Sequence, residues 1–451
     1  MGTIHEASRE TPVVCDADVC VIGGSCTGLF AAVRAARRGL AVALIENNGY
    51  FGGAATAGLV NVWHALTDTA GERRIIAGLT AEMLARLERR GAMQPFMHHG
   101  YQLNCAALVL ELDALAREHP TIRPFLHAKF VAPALDDDGR VTHAVIEDKS
   151  GRRAIAARVF IDASGDGDLV ARMGLPTVTR AVLQPPTACV YLAGLDAVAA
   201  QSPAFNLRHE VFDPRYPEAL PPGFLWTARV PGAPGLTMVA GTRVHGANCA
   251  DADQLTAAEL ESRRQIQAML DLLRRHIPGG DAVQPVALPA YLGIRETRHA
   301  VCRYRLTETD VLDGARFPDA IANGTYQVDI HHGAGAGLTF RFLNGVEQHH
   351  VPGQPVVTGR WRAPRETDPT FYQIPYRCLV PADARNVLIA GRCIDADQGA
   401  HGAVRVMVNT NQMGEAAGLA AALARETGVD AADVDTDALR RALAEAGAIV
   451  L

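Results

Sequence analysis

One stretch near the start of the chain constrains the fold more than any other. A β-branched run, Asp18-Val-Cys-Val-Ile22, is followed at once by Gly23-Gly24-Ser25-Cys26-Thr27-Gly28. Leu29–Arg38 comes next, rich in Ala, with Arg34, Arg37 and Arg38 spaced for an outer face and Gly39 placed to end a helix. A second strand, Ala41–Ile45, ends at Glu46, 18 positions beyond Gly28. The pattern predicts a β-turn-α-β unit built to hold a dinucleotide. Gly23 permits the tight turn, and Gly28 lets the helix pack closely on the sheet. The free N–H groups at the helix start suit a pyrophosphate, and Glu46 suits ribose hydroxyls. Ser25 stands where the middle glycine of such a loop is usual; it is small, and its hydroxyl can itself bond a phosphate.

The next segment, Asn47-Asn48-Gly49-Tyr50-Phe51-Gly52-Gly53-Ala54-Ala55-Thr56-Ala57-Gly58, has almost no side-chain bulk. It reads as backbone laid against a flat ligand, with a flexible loop as the plain alternative. Residues 72–119 read as helical, and Phe125–Val131, Val141–Glu147 and Ala154–Ile161 as strands, the last leading into Asp162-Ala-Ser-Gly-Asp-Gly-Asp168. From about 173 to 375 prolines and turn glycines are dense. Strand-like runs (Thr187–Ala193, Gly235–Val244, Gly324–Ile330) alternate there with an amphipathic helix near 256–275, as in a separate α+β lobe. Asn386–Ala390 returns as a buried strand before Gly391-Arg392. A helix is expected from Val404 to about Arg425, with Gly414, Ala417, Gly418 and Ala421 making one smooth face.

Composition excludes several classes. The net charge of −6 has the wrong sign for nucleic acid, and 41 of the 43 basic residues are Arg, so any anion site must be built from guanidinium groups. No apolar run is long enough to span a membrane, the first residues lack the features of a secretory signal, and nine scattered cysteines form no CxxC. A reduced, cytoplasmic protein is the expectation.

Taken together these residues resemble the FAD-dependent oxidoreductase family within the glutathione-reductase-like flavoproteins, related to fumarate reductase and succinate dehydrogenase flavoprotein subunits. The resemblance rests on Val21–Gly28, on Glu46 with Gly52-Gly53-Ala54 and Thr56-Ala57-Gly58, and on Asp162–Asp168. It extends to Gly293-Ile-Arg-Glu-Thr-Arg298, Asp329-Ile-His331, Ile374-Pro-Tyr-Arg377, Leu388–Cys393 and His401–Met407. It implies an α/β protein, a Rossmann-like FAD-binding domain of glutathione-reductase type with an inserted α+β substrate lobe. The discontinuous FAD-binding domain would take 12–172 and 376–428, with a helical insertion at 61–119, a substrate lobe at 173–375 and a C-terminal helix at 429–451. One FAD would lie extended along Gly23, Ser25, Cys26, Thr27, Gly28, Glu46, Asn47, Gly52, Gly53, Ala54 and Thr56. Val131, Ala163, Ser164, Gly165, Gly391, Arg392, Arg405 and Val406 would complete its site. The sequence departs from the family at Ser25, at Cys26 in the phosphate loop, and after Asp329, where it reads His331-His332-Gly-Ala-Gly-Ala-Gly337.

A flavin exchanges hydride with a carbon whose neighbouring proton must also move, so an acid or base and an oxyanion partner are needed. His331 or His332 is the expected acid/base. Arg295 is the expected holder of a carbonyl or carboxylate, and Arg298, His401, His299, Tyr326 and Arg405 are further candidates. An ion pair with Glu296 or Glu308 is the structural alternative for Arg295 and Arg298. Asp329, His331, His332, Glu347, His349 and His350 can be drawn as a two-His, one-carboxylate site, but no metal is expected beside a flavin. The Cys15/Cys20 spacing precedes the first strand and no second dinucleotide unit follows, against a disulfide reductase. The leading expectation is hydride transfer between flavin and a small polar or anionic substrate. A separate electron donor or acceptor is needed, and a homo-oligomer stays open. A flavin oxygenase or oxidase using O₂, and a non-catalytic flavin-binding sensor or assembly subunit, are the alternatives.

Overall fold

The computed structural model describes residues 2–451. The glycine-turn unit forms as the sequence requires. Strand β1 (Val19–Ile22) runs into helix α1 (Cys26–Arg37), and Gly39, at φ +83°, turns the chain into β2 (Val42–Ile45). Beyond lie β3 (Ile122–Phe125), β4 (Val159–Asp162) and β5 (Val387–Ile389), and the five pair in parallel in the order β5-β4-β1-β2-β3. Every residue of β1, β2, β4 and β5 is buried, which is why they read as unbroken apolar runs rather than alternating ones. Two helices follow β5: α2 (Gln398–Val404) and α3 (Met407–Thr427). The glycines of α3 meet the backbone of α1 directly. A Cβ on Gly414 would sit 2.0 Å from Thr27 O, and one on Gly418 2.2 Å from Ala31 O. A buried ion pair between Arg34 and Glu415 closes the same interface, and Glu415 also accepts the Leu79 N–H at 3.1 Å.

Several expectations need correction. Ala154–Ile161 is two strands in two sheets. Gly151–Ala156 belongs to a second sheet with Val13–Asp16, Val141–Asp148 and Lys129–Leu135, and the chain crosses to β4 at Ala157-Arg158. Phe125–Val131 divides in the same way, between β3 and Lys129–Leu135. The 72–119 segment holds two helices, Gly78–Arg89 and Cys105–Arg117, but a hairpin of Met93–Phe96 and Gly100–Leu103 separates them. Gly324–Ile330 also splits, with Ala320–Gly324 pairing Tyr372–Pro375 and Val328–His331 opening a four-stranded sheet. The helix expected from Val404 breaks at Arg405-Val406 into α2 and α3.

Residues 188–294 build their own apolar core around the helix Ala252–His276 and a sheet of Trp226–Arg229, Thr237–Ala240, Cys189–Ala193 and Gln284–Ala287. Leu306, Val311, Tyr372, Ile374 and Tyr376 instead join the main core with α1 and α3. Among the described residues no helix is long and apolar enough to cross a membrane.

Candidate functional site

The C-terminal ends of β1, β2, β4 and β5 open onto one edge, and each runs into small residues there. After β1, Gly23 turns at φ +103° with no room for a side chain, since a Cβ would lie 2.3 Å from Ala163 O. Ser25 caps α1 by accepting the Gly28 N–H at 3.4 Å, which leaves the first-turn amides of Cys26 and Thr27 without intrahelical partners. The bulk-free segment after β2 is an ordered turn. Gly52 donates to Gly24 O at 2.9 Å, Ser25 and Gly52 form a parallel bridge, and a Cβ on Gly53 would meet Ser25 Cβ at 2.8 Å. Glu46 accepts the Gly24 N–H and the Asn48 backbone and side-chain N–H groups, each at 2.7 Å, leaving acceptor capacity for a further hydroxyl. Beyond β4, Ser164 is fixed on Asp162. Beyond β5, Gly391 is buried at φ +117° yet faces open space, a slot beside the backbone. The Arg392 guanidinium lies on Gly165 and donates to Asp166 at 2.6 Å, while its Nε is buried and unpartnered. Val131 sits at a bulge between Phe130 and Ala132, its backbone out of the ladder. This glycine-walled edge, with helix-start amides and an open slot, fits an extended dinucleotide. Burial pushes the Cys26 thiol up to about 12, so it stands in the loop as a neutral thiol.

A buried polar cluster lies beside that edge, because the strand Val328–His331 packs on α2 with Gly402 against the Asp329 backbone. Asp329 is its centre. The carboxylate receives Arg405 Nη2 and the Tyr326 hydroxyl, both at 3.0 Å, and faces His331 Nε2 at 3.4 Å. Burial drives this carboxyl up, but His331, Arg405 and Arg295 outweigh it and hold it well below the usual carboxylate range. Arg243 Nη2 donates to His331 Nδ1 at 3.2 Å, so the His331 proton resides on Nε2, toward Asp329. Burial, reinforced by Arg295, pushes the His331 imidazole well below its ordinary value and keeps it neutral. Gln184 accepts the His331 backbone N–H at 3.1 Å. Arg243 and Arg295 both donate to Thr187 Oγ1, at 2.7 and 2.6 Å, and neither forms an ion pair among the described residues. The cluster has two layers. Gln184, Arg243, Asp329 and His331 are sealed, whereas His64, Arg295, Tyr326 and Arg405 are partly exposed, with His64 stacked on Tyr326 at 4.0 Å.

The sequence-predicted residues thus separate. His331, Arg295, Tyr326 and Arg405 come together. His332 does not: its ring is held inside its own hairpin by Ala336 O (2.6 Å) and Thr339 Oγ1 (2.9 Å). Arg298 is tied to Asp168 Oδ1 at 2.6 Å and to the Asp166 carbonyl, an ion pair of the β4 loop rather than with Glu296 or Glu308. His401 joins a second cluster, donating from Nε2 to Arg392 O at 3.1 Å and standing edge-on to His299, with its Nδ1 buried and unpartnered. The six residues drawn as a metal site fall apart, since Thr339 lies between His332 and His349 while Asp329 and His331 stay with the arginines. Glu296, His299 and His401 do bring ligand atoms within 4.8 Å of one another. The Arg180 guanidinium, however, contacts Glu296 and donates to His299 Nε2 at 2.7 Å, so an arginine already supplies the cation. Sequence reasoning missed His64, Gln184, Thr187 and Arg243, which carry no motif and meet only through the tertiary fold.

A parallel sheet with a glycine turn, an acid after its second strand and a returning C-terminal strand defines a Rossmann-type flavoprotein. The chain belongs to the FAD dependent oxidoreductase family, whose model matches residues 18–443; it is an FAD-dependent enzyme. No curated protein matches it. Among solved structures it is similar to a geranylgeranyl bacteriochlorophyll reductase-like protein from Thermoplasma acidophilum, at 14% identity and TM-score 0.49, covering 96% of this chain and 84% of that one. A similar match is p-nitrophenol 4-monooxygenase PnpA from Pseudomonas putida DLL-E4, at 12% identity and TM-score 0.45, over 92% and 82% of the two chains. PqsL of P. aeruginosa, solved with 2-aminobenzoylacetate, matches at 14% identity and TM-score 0.42, over 95% and 91%.

Proposed function

We propose that this enzyme transfers a hydride between its FAD and a small polar or anionic organic molecule, with Tyr326 moving the accompanying proton. The observation that carries the reading is the two-layered cluster around Asp329, beside the glycine-walled edge. FAD, when bound, supplies the two-electron chemistry. Gly23, Ser25, Cys26, Thr27 and Gly28 would hold its pyrophosphate and Glu46 its ribose, with Asn47, Gly52, Gly53, Ala54, Thr56 and Val131 beside them. Ala163, Ser164, Gly165, Gly391, Arg392 and Val406 would line the remainder.

The other steps belong to the cluster. Arg295 and Arg405, in the outer layer, orient a substrate oxygen and oppose negative charge developing on it. The Tyr326 hydroxyl relays the proton: it takes one from the substrate as its own passes to Asp329, and the same path run backwards delivers a proton to the substrate. His331, sealed between Arg243 and Asp329, positions that carboxylate. His64 covers one face of the phenol and limits water there. This assigns His331 the supporting part and the proton transfer to Tyr326, by exposure and by the hold of Arg243 on His331 Nδ1.

Anaerobic mixing of the FAD-loaded enzyme with candidate reductants, followed at the flavin absorption band, is the test. Bleaching without oxygen supports the reading, and Tyr326→Phe should slow it by about 10²–10⁴-fold while substrate binding persists. A flavin that reacts with substrate only in the presence of O₂, with product oxygen derived from O₂, would replace the reading by the oxygenase alternative.

A further inference from the structure

Counting donors and charges shows something missing from the cluster. Three guanidinium groups, Arg243, Arg295 and Arg405, share a single carboxylate, Asp329, and that carboxylate is already paired with Arg405. Arg243 is 2% exposed, and its two terminal nitrogens are saturated by Thr187 Oγ1, Thr242 O, Phe224 O and His331 Nδ1. All four are neutral acceptors, so the charge is hydrogen-bonded but not neutralised. Arg295 is different. Its Nη1 is pinned by Pro185 O and Thr187 Oγ1, both at 2.6 Å, and these are its side-chain hydrogen bonds among the described residues. A guanidinium carries five N–H groups in a planar fork. The Nε and Nη2 edge of Arg295 therefore has no acceptor among the described residues. Uncompensated buried charge is costly, and a protein interior that concentrates it commonly does so for a ligand of opposite sign. Burial and the neighbouring Arg405 lower the Arg295 pKa to about 10, which leaves it charged at neutral pH.

From this we infer that Arg295 and Arg243 form a carboxylate subsite: the substrate carries a carboxylate that docks on the free edge of Arg295, with Arg243 behind it as a fixed positive charge. Thr187 is the hinge of the pair, because its one hydroxyl oxygen receives both guanidinium groups and so sets their spacing. The planar fork selects a flat, two-oxygen anion over a spherical one. The inference rests on the reading of this cluster as the substrate site, and it narrows "polar or anionic" to an organic carboxylate.

The test uses the FAD-loaded full chain titrated with acetate, succinate and benzoate, with acetamide, succinamide and benzamide as neutral matches and chloride as a spherical anion. The flavin absorption spectrum and the thermal midpoint are the readouts. At least one carboxylate is expected to perturb both, saturably and well ahead of its amide and of chloride. Arg295→Met should weaken that effect by about 10–100-fold, the worth of a lost charge-assisted hydrogen-bond pair. Arg295→Lys should recover part of it, and Arg264→Met, at a side chain 64% exposed on the lobe helix, should change nothing. Carboxylates and amides acting alike, chloride acting as strongly as acetate, or Arg295→Met binding carboxylates normally would each overturn the inference. The wild-type comparison stands even if a variant fails to fold. Failure here is distinguishable from failure of the functional reading, because anaerobic flavin reduction by a neutral metabolite would uphold hydride transfer while removing the carboxylate.

Discussion

Tyr326, Asp329 and His64 show how burial sets chemistry at single residues. Asp329→Asn would keep the shape but remove the one negative charge among three arginines, and a reduction rate lowered by about 10²-fold or more is expected alongside Tyr326→Phe. His64 gives a pH prediction with a definite sign. Burial lowers its pKa from 6.5 to about 4, so the folded state resists a proton that the unfolded chain accepts. Its contribution to stability is complete above pH 6.5 and is lost as pH falls from there to about 4. Replacing it by Asn should therefore cost most at neutral pH, and the gap between the melting midpoints of the two proteins should narrow toward pH 4. A gap that stays constant across that range would refute the assignment. At this scale the dinucleotide loop was readable because its logic is local: six consecutive residues impose the turn, the cap and the close approach. The polar cluster around Asp329 was half readable. Arg295, Tyr326, His331 and Arg405 stood out as polar groups in quoted motifs, but Arg243 and Thr187 lie in ordinary strand-like sequence. What gives them meaning is a neighbour more than 50 positions away.

Among the elements, α3 is the plainest case of sequence dictating contact. Its smooth face of Gly414, Ala417, Gly418 and Ala421 was visible as a helical stripe, and the structure spends that smoothness on carbonyl oxygens of α1. Gly418→Val should destabilise the protein by about 1–3 kcal/mol through overpacking, measured by denaturant unfolding. Glycine has the poorer helix propensity of the two, so the loss would report the crowded approach to α1 and not the helix itself. The misread elements have a common cause. Ala154–Ile161 and Phe125–Val131 are apolar runs in which the chain leaves one sheet and enters another. Hydrophobic patterning registers burial on both sides of such a junction and says nothing about which sheet accepts the hydrogen bonds. At Ala157-Arg158, Ala157 donates to Thr142 O and Arg158 to Asp18 O, and the Asn386 side chain ties the junction by donating to both Arg158 O and Val141 O.

For the molecule as a whole, FAD would bridge loops that are far apart in sequence, so binding should couple to global stability. The melting midpoint is expected to rise with added FAD, by an amount equivalent to about 4 kcal/mol at a thousandfold excess over the dissociation constant. Acid precipitation should release all the yellow colour to the supernatant; a yellow pellet would mean a covalent link. The topology also has a cost during synthesis. Strand β5 and helix α3 complete the nucleotide domain, yet more than 300 residues separate them from β1 and α1. At ordinary translation speeds that interval is on the order of 20–70 s. Throughout it the nascent chain must carry an α1 whose inner face, with the Thr27 and Ala31 carbonyls, waits uncovered for its partner. A ribosome that stalls before residue 387 leaves a sheet without its last strand and a cofactor edge without its far wall. For this protein, chaperone capture during translation and the supply of flavin at its end should govern yield more than the stability of the finished fold.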